Sequence, residues 1–396
     1  MRKIIIFSII LILILSGCIS NQTTNEDTKK DSIVEKEPTN TYEPTETGEN
    51  TEDSVDTTEK IEIETDTTPT TEKITKTKVI QLTNNQIEEK EPILSGDYII
   101  YYVVESGDLP NSFYLLDTKT DTNKFLTKAG NYLSFDFQGD NLVWSDKRNG
   151  NADIFIYNIK TNKESQVTDN KKDQIYPRLF GNKVVWHDNR NLESYSADNP
   201  IIFPNWDIYS YDILKNNEES LVSASQTQYY PAIWENFVVW EDGRHKTGSD
   251  QLIGGDIYLL DLSNGKEVKI TSTKKSIKPL VNNRYVVYTD YRNNKGYSEN
   301  EIFLYDINKE EEIKIFENER NSKRDFNIDI SNDYVVWKDE NYGDSKKVIY
   351  IYSIKTGKTN TLEDTNTYKP NADNNQLVFT NKTNGKSEIF LLEILQ

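Results

Sequence analysis

The 396-residue chain has one cysteine, Cys18, and two histidines, His187 and His245. A single cysteine excludes an intrachain disulfide and any cysteine-built metal centre. The two histidines could join a metal site only with help from carboxylates, and no His-Glu-x-x-His spacing occurs. No Gly-x-Ser-x-Gly elbow is present to raise a serine nucleophile. Positive charge is also short: 46 Lys and Arg stand against 65 Asp and Glu, for a net charge of -19 and a pI near 4.7. That balance argues against a nucleic-acid partner, because such binding begins with the neutralisation of phosphates. No stretch holds a helical period, so the apolar residues must be arranged in strands.

The N-terminus has its own character. Met1-Arg2-Lys3 is a short basic start, Ile4 to Leu15 is apolar except for Ser8, and Leu15-Ser16-Gly17-Cys18 follows. A bilayer needs about 20 apolar residues, so this run is too short to span one. Residues 1–17 read as a secretory signal peptide. Residues 18–76 read as a disordered tether: from Ile19 to Lys76 there are 16 acidic and 6 basic residues, with Tyr42 the only aromatic. Such a segment buries too little apolar area to offset its ordering entropy, and its charges repel one another.

From residue 77 onward the chain repeats. Asn236-Phe237-Val238-Val239-Trp240-Glu241-Asp242-Gly243-Arg244 leads into Asp256-Ile257-Tyr258-Leu259-Leu260-Asp261, and Lys183 to Arg190 leads likewise into Asp207 to Asp212. Aligned on a central aromatic, the units fall at Tyr101, Trp144, Trp186, Trp240, Tyr288, Trp337 and Phe379. Their spacings of 42 to 54 residues and four strand signals per unit match the blades of a β-propeller. The last unit, Pro370 to Leu395, has three strand signals. Its missing outer strand has a counterpart at the other end, Lys78-Val79-Ile80-Gln81-Leu82-Thr83. The expectation is therefore an all-β, seven-bladed propeller over residues 77–396, closed by an N-terminal strand, with a six-bladed ring as the alternative.

The pattern Val-Val-Trp-x-Asp-x-Arg, Asp-Ile-Tyr-x-Tyr-Asp, a polar strand ending in Thr, and Pro before the next unit resembles the TolB-like, WD40-like (PD40) repeats of prokaryotic cell-surface proteins. Leu-Ser-Gly-Cys resembles the lipobox of prokaryotic lipoproteins, which implies lipidation at Cys18 and a membrane-anchored protein on the extracellular face or in the periplasm. Lipid anchoring of this kind holds a protein to a membrane surface without crossing it. The repeat resemblance specifies architecture and leaves activity open. Seven-bladed lyases of pectate oligomers use several histidines around a metal, more than this chain has.

Expanded loops between second and third strands, at Asn191–Asn205, His245–Gly255, Asn293–Asn300 and Glu340–Lys347, mark one face as the place for function. The candidate binding residues on it are His187, Arg190, Trp206, Tyr229, Tyr230, Arg244, His245, Tyr291, Arg292, Tyr297 and Tyr342, with Tyr176 in the same connections. Aromatic and Arg enrichment is the composition of recognition surfaces. Opposing this, Arg148, Arg190, Arg244 and Arg292 recur with Asp146, Asp188, Asp242 and Asp290, which predicts structural pairs that bridge neighbouring blades. The loop Asp146–Asp153 offers oxygen ligands for Ca²⁺ but lacks the EF-hand register, so a plain turn is expected. No other cofactor is expected. The reading that results is a non-catalytic binding module for an envelope protein or a surface polysaccharide. A carbohydrate-active enzyme using two carboxylates, or a purely structural envelope component, are the alternatives.

Overall fold

In the computed structural model the described residues are 77–85, 87–104, 111–130, 132–192, 205–246, 254–293, 300–317, 327–339, 348–362, 369–383 and 385–394. The signal peptide, Cys18 and the tether lie outside them, as do Tyr297 and Tyr342. The chain divides into two units, Met1–Thr65 and Asp66–Gln396, and all described residues belong to the second.

Among the described residues, twenty-eight strands form seven antiparallel four-stranded sheets, each the blade of a propeller. Six blades are consecutive in sequence, from the first (89–130) to the sixth (327–362). The seventh takes its inner, second and third strands from Asn371–Asp373, Gln376–Thr383 and Lys386–Ile394. Its outer strand is Thr77–Gln81, paired from Thr77 opposite Ile394 to Gln81 opposite Phe390. The ring is closed by the N-terminal strand, with seven blades rather than six.

The repeated residues have separable structural jobs. Every central aromatic lies on a second strand, opposite an aromatic of the third strand. The seven pairs stack with centroids 5.2–6.4 Å apart and planes 3–25° apart, for example Trp240 on Tyr258 and Trp337 on Tyr350. Flat rings suit the space between two twisted sheets, and all four tryptophans in these positions are fully buried. The Asp that ends a third strand caps the turn after it: Asp212 accepts from the Leu214 amide and Asp261 from the Ser263 amide. The Thr two residues beyond the outer strand reaches back to the third strand, with Thr168 accepting from the Ile154 amide and Thr271 from the Ile257 amide, both at 2.9 Å. Thr83 does the same for Ile389 at 2.8 Å, so the closing strand carries the outer-strand residue in the outer-strand role.

The Asp-x-Arg pairs corrected one expectation. Expected as bridges between neighbouring blades, the pairs each clamp their own blade through the outer-strand carboxylate, and Arg148 also reaches the preceding blade, donating from Nη2 to the Lys128 carbonyl at 3.1 Å. Arg190 contacts Asp188 of the second strand at 2.6 Å and Glu218 of the outer strand at 2.5 Å, and lies 4.0 Å over the Tyr209 ring of the third strand. Arg148, Arg244 and Arg292 repeat this with Asp146 and Glu164 over Phe155, Asp242 and Glu267 over Tyr258, and Asp290 and Glu312 over Phe303. The cause is geometric. Arg follows Asp by two residues as the second strand ends, so the guanidinium folds back over its own sheet, where the fork matches carboxylates and stacks on a ring. Gly130 belongs to the same device, since a Cβ there would stand 2.3 Å from the Asp146 carboxylate.

Candidate binding site at the channel mouth

Strand register fixes which loops share a face. Asp188, near the end of its second strand, pairs with Gln174 at the start of the inner strand and with Asp207 at the start of the third. The second-to-third loops and the outer-to-inner connections therefore open on the same side, as expected from the fold.

On that side the inner strands carry a repeated irregularity. The register shifts between Ile175 and Arg178, between Tyr229 and Ala232, and between Ile277 and Leu280. Each bulge holds a non-glycine residue at positive φ just before a proline: Tyr176 (57°), Tyr230 (49°) and Lys278 (48°), with Glu91 (48°) equivalent in the first blade. Such backbone costs about 1–3 kcal/mol per residue and persists where surroundings over-determine it. The preceding blade supplies that support. Ser134 Oγ accepts from the Tyr176 amide at 3.1 Å, His187 Nδ1 from the Tyr230 amide at 3.1 Å, and the Glu241 carboxylate from the Lys278 amide. His187 and Glu241 occupy the same position, the residue between the central Trp and the Asp, and both serve as acceptors for the next blade.

His187 is 1% exposed and is enclosed by aromatic rings: Trp206 at 4.8 Å, Tyr176 at 5.0 Å, Tyr229 at 5.4 Å and Tyr230 at 5.8 Å between centroids. Burial pushes its imidazole down to about 3, so the ring is neutral. With Nδ1 accepting, the proton sits on Nε2, which has no hydrogen-bond partner among the described residues. Trp206, Tyr229 and Tyr230 remain partly exposed and Tyr176 is exposed. Two blades thus build one aromatic patch around a neutral histidine.

Tyr176 and Tyr230 also line a cavity of ≈ 160 Å³ at the mouth of the channel, with Arg178, Lys278, Thr289, Asn327 and Lys369. Deeper, a second cavity of ≈ 170 Å³ is lined by inner-strand residues of all seven blades, among them Ile93, Asp136, Ala232, Asp329 and Asn371, and shares Arg178 and Leu280 with the first. The channel carboxylates are engaged in joining blades. Asp136 accepts from the Leu179 amide at 2.9 Å, and Asp329 accepts from Asn371 Nδ2 and the Ala372 amide, both at 2.8 Å. Enclosure by protein pushes the Asp329 carboxyl up to about 6. Glu241, 6% exposed, is pushed up to about 7 by burial, partly opposed by Lys246 and Lys278.

Of the sequence candidates, His187, Trp206, Tyr229 and Tyr230 come together. Arg190, Arg244 and Arg292 belong to their own blade clamps. His245 Nε2 contacts Tyr258 Oη at 2.8 Å, away from the cluster, and Tyr291 is partly exposed with its amide bonded to Lys275 O. Among the described residues no three His, Cys, Asp or Glu converge as metal ligands. In the Asp146–Asp153 loop, Asp146 is taken by Arg148, and Asn151 ties the turn to the Asn170 and Lys172 carbonyls. Sequence reasoning missed Arg178, Lys278, Lys369 and Glu241. A signal for two of them was available: Lys278 and Lys369 precede Pro279 and Pro370, as Tyr176 and Tyr230 precede Pro177 and Pro231.

No family model matches the chain, and no curated protein matches it. Solved structures do. An oligogalacturonate lyase in complex with manganese is 16% identical, with a TM-score of 0.54 over 83% of this chain and 96% of that one. The β-propeller domain of the Trilobed protease from Pyrococcus furiosus is 13% identical, with a TM-score of 0.57 over 79% and 97%. The acylaminoacyl peptidase of Pyrococcus horikoshii is 13% identical, with a TM-score of 0.56 over 78% of this chain and 52% of the peptidase. At these identities the likeness is one of fold. The Pyrococcus furiosus propeller is described as having an open velcro topology, whereas this ring is closed by Thr77–Gln81.

Proposed function

We propose that this is a lipid-anchored propeller of the cell surface that binds a surface polysaccharide non-catalytically through the aromatic mouth of its channel. The observation that carries the reading is the unrepeated cluster of Trp206, Tyr176, Tyr229 and Tyr230 around a neutral His187, beside a cavity whose neighbouring carboxylates are committed to holding blades together. Partly exposed aromatic rings offer large apolar faces at little entropic cost, the property that makes them recognition anchors. Cys18 supplies the anchor, and residues 18–76 the spacer. The test is glycan binding by full chain and by Trp206→Ala: loss of binding with an unchanged melting temperature supports the reading, and equal binding removes Trp206 from the site. Cys18→Ala should move the protein from the membrane fraction to the soluble one.

The carbohydrate-active alternative has one observation in its favour, the raised carboxyl of Asp329 inside a channel shared with Asp136. A neighbour in fold is a lyase of oligogalacturonate. Turnover of an acidic oligosaccharide, abolished in Asp329→Asn while binding persists, would replace the binding reading with this one.

A further inference from the structure

The channel mouth departs from the rest of the molecule in charge. The chain carries a net charge of -19, yet the charged side chains lining the mouth cavity are Arg178, Lys278 and Lys369, all cationic. They come from the third, fifth and seventh blades, so the grouping exists only in the closed ring. The partners of Arg178 and Lys369 are loose or diffuse. Arg178 Nη1 stands 3.9 Å from Asp136 Oδ1, a separation at the limit of an ion pair. Lys278 Nζ lies 5.8 Å from the centroid of the Tyr230 ring, and its charge is felt by Glu241. For Lys369, burial and the Arg178 charge disfavour the ammonium, while Glu91, Asp329 and Asp136 favour it through space. Three cations held around one small cavity repel each other, and an anion placed among them relieves that repulsion where water screens weakly.

Size sets what can enter. Pockets that enclose a whole drug-sized ligand run to about 300–1,000 Å³. A cavity of ≈ 160 Å³ takes one group of a larger ligand, leaving the remainder on the aromatic rim. A pyranose ring bearing a carboxylate fits this division, with its apolar C–H face against Tyr176, Tyr230 or Trp206 and its carboxylate directed inward. A peptide carboxylate would match the cations but makes no comparable use of the flat ring faces.

We propose that the ligand of this site is an acidic oligosaccharide, one of whose uronic-acid carboxylates enters the channel mouth and is bound by Arg178, Lys278 and Lys369. This rests on the binding reading above and adds the chemical class. It also gives selectivity a physical basis, since an acidic surface repels polyanions everywhere except where the channel gathers positive charge.

Titration calorimetry on the full chain in detergent tests it, with a mannuronate hexamer, its carboxyl-reduced mannose hexamer, and triglutamate as probes. The expected result is binding of the mannuronate hexamer, weakened about tenfold or more by carboxyl reduction. Lys369→Gln and Lys278→Gln should each weaken the acidic hexamer alone and flatten its dependence on sodium chloride, with Lys278→Arg restoring it. Melting temperatures of the variants separate loss of the site from loss of the fold. Equal binding of both hexamers, unchanged in Lys369→Gln, overturns the acidic class and leaves the glycan-binding reading standing. Binding of triglutamate in preference to mannuronate overturns the sugar assignment. Binding of neither hexamer, with no effect of Trp206→Ala on any probe, overturns both readings together.

Discussion

His187 and Asp188 are adjacent in one strand and belong to different parts of the molecule. Asp188 sits in the clamp with Arg190, Glu218 and Tyr209, a device that returns in four blades with the same residue types at the same positions. His187 sits in the aromatic mouth, which occurs once and draws on two blades. The contrast teaches that recurrence marks what a blade needs in order to be a blade, and departure from recurrence marks where the molecule does something else. Position 241 sharpens this, because Glu241 takes the same acceptor role as His187 with opposite acid–base behaviour.

The comparison can be broken most severely at the shared scaffold. Trp240→Ala empties a fully buried site between blades and should cost about 3–5 kcal/mol, read as a large fall in melting temperature. The clamp comes next. Asp242→Ala leaves Arg244 with Glu267 and the Tyr258 ring and should cost about 3 kcal/mol in denaturant unfolding, with part of the loss recovered when Arg244 is also removed. If Asp242→Ala proves neutral, the repeated pair is ornamental and the contrast with the mouth collapses.

The third test uses pH. Below about 6.5 the unfolded chain's imidazole takes up a proton that buried His187 refuses until about 3, so this group lowers stability as pH falls through that window. Glu241 works the other way: between about 4.5 and 7 the folded carboxyl keeps a proton that the unfolded one releases, so its contribution is lost as pH rises. The two slopes oppose each other between about 4.5 and 6.5. In Glu241→Gln the Glu241 slope is removed while those of the other groups stay, and the variant should gain on wild type by about 1.4 kcal/mol per pH unit from about 4.5 to 7, in urea unfolding at each pH. Parallel curves would show that Glu241 is not held protonated. The smallest effect on stability is expected at the mouth: Trp206→Ala, partly exposed, should stay within about 0.5 kcal/mol of wild type while ligand binding is lost.

How far the sequence could be read follows the same division. The central aromatics, the capping Asp at the end of a third strand, and the Thr of the outer strand act through neighbours in the same blade, so their spacing was visible as a period. Lys78 to Thr83 was recognisable as a displaced outer strand because it carries the same Thr. The Arg pairs were legible as structural, but their direction was not: a periodic pair at two-residue spacing fits an inter-blade bridge as well as a clamp, and only the path of the chain after Asp188 or Asp242 decides. At the site, His187, Trp206, Tyr229 and Tyr230 were named from loop placement, whereas Arg178, Lys278 and Lys369 were not.

The strands and the strand that closes the ring were legible in the sequence, because each depends on contacts within about fifty residues or on one strand's own signature, while the choice of seven blades over six came from the pairing of Thr77–Gln81 with Lys386–Ile394. The tertiary structure alone decided that three cations from the third, fifth and seventh blades meet at one cavity. It also decided that a histidine of one blade supports the strained backbone of the next. Those groupings arise from closing the ring, which brings inner strands far apart in sequence around a common axis, and no local pattern of residues encodes that meeting.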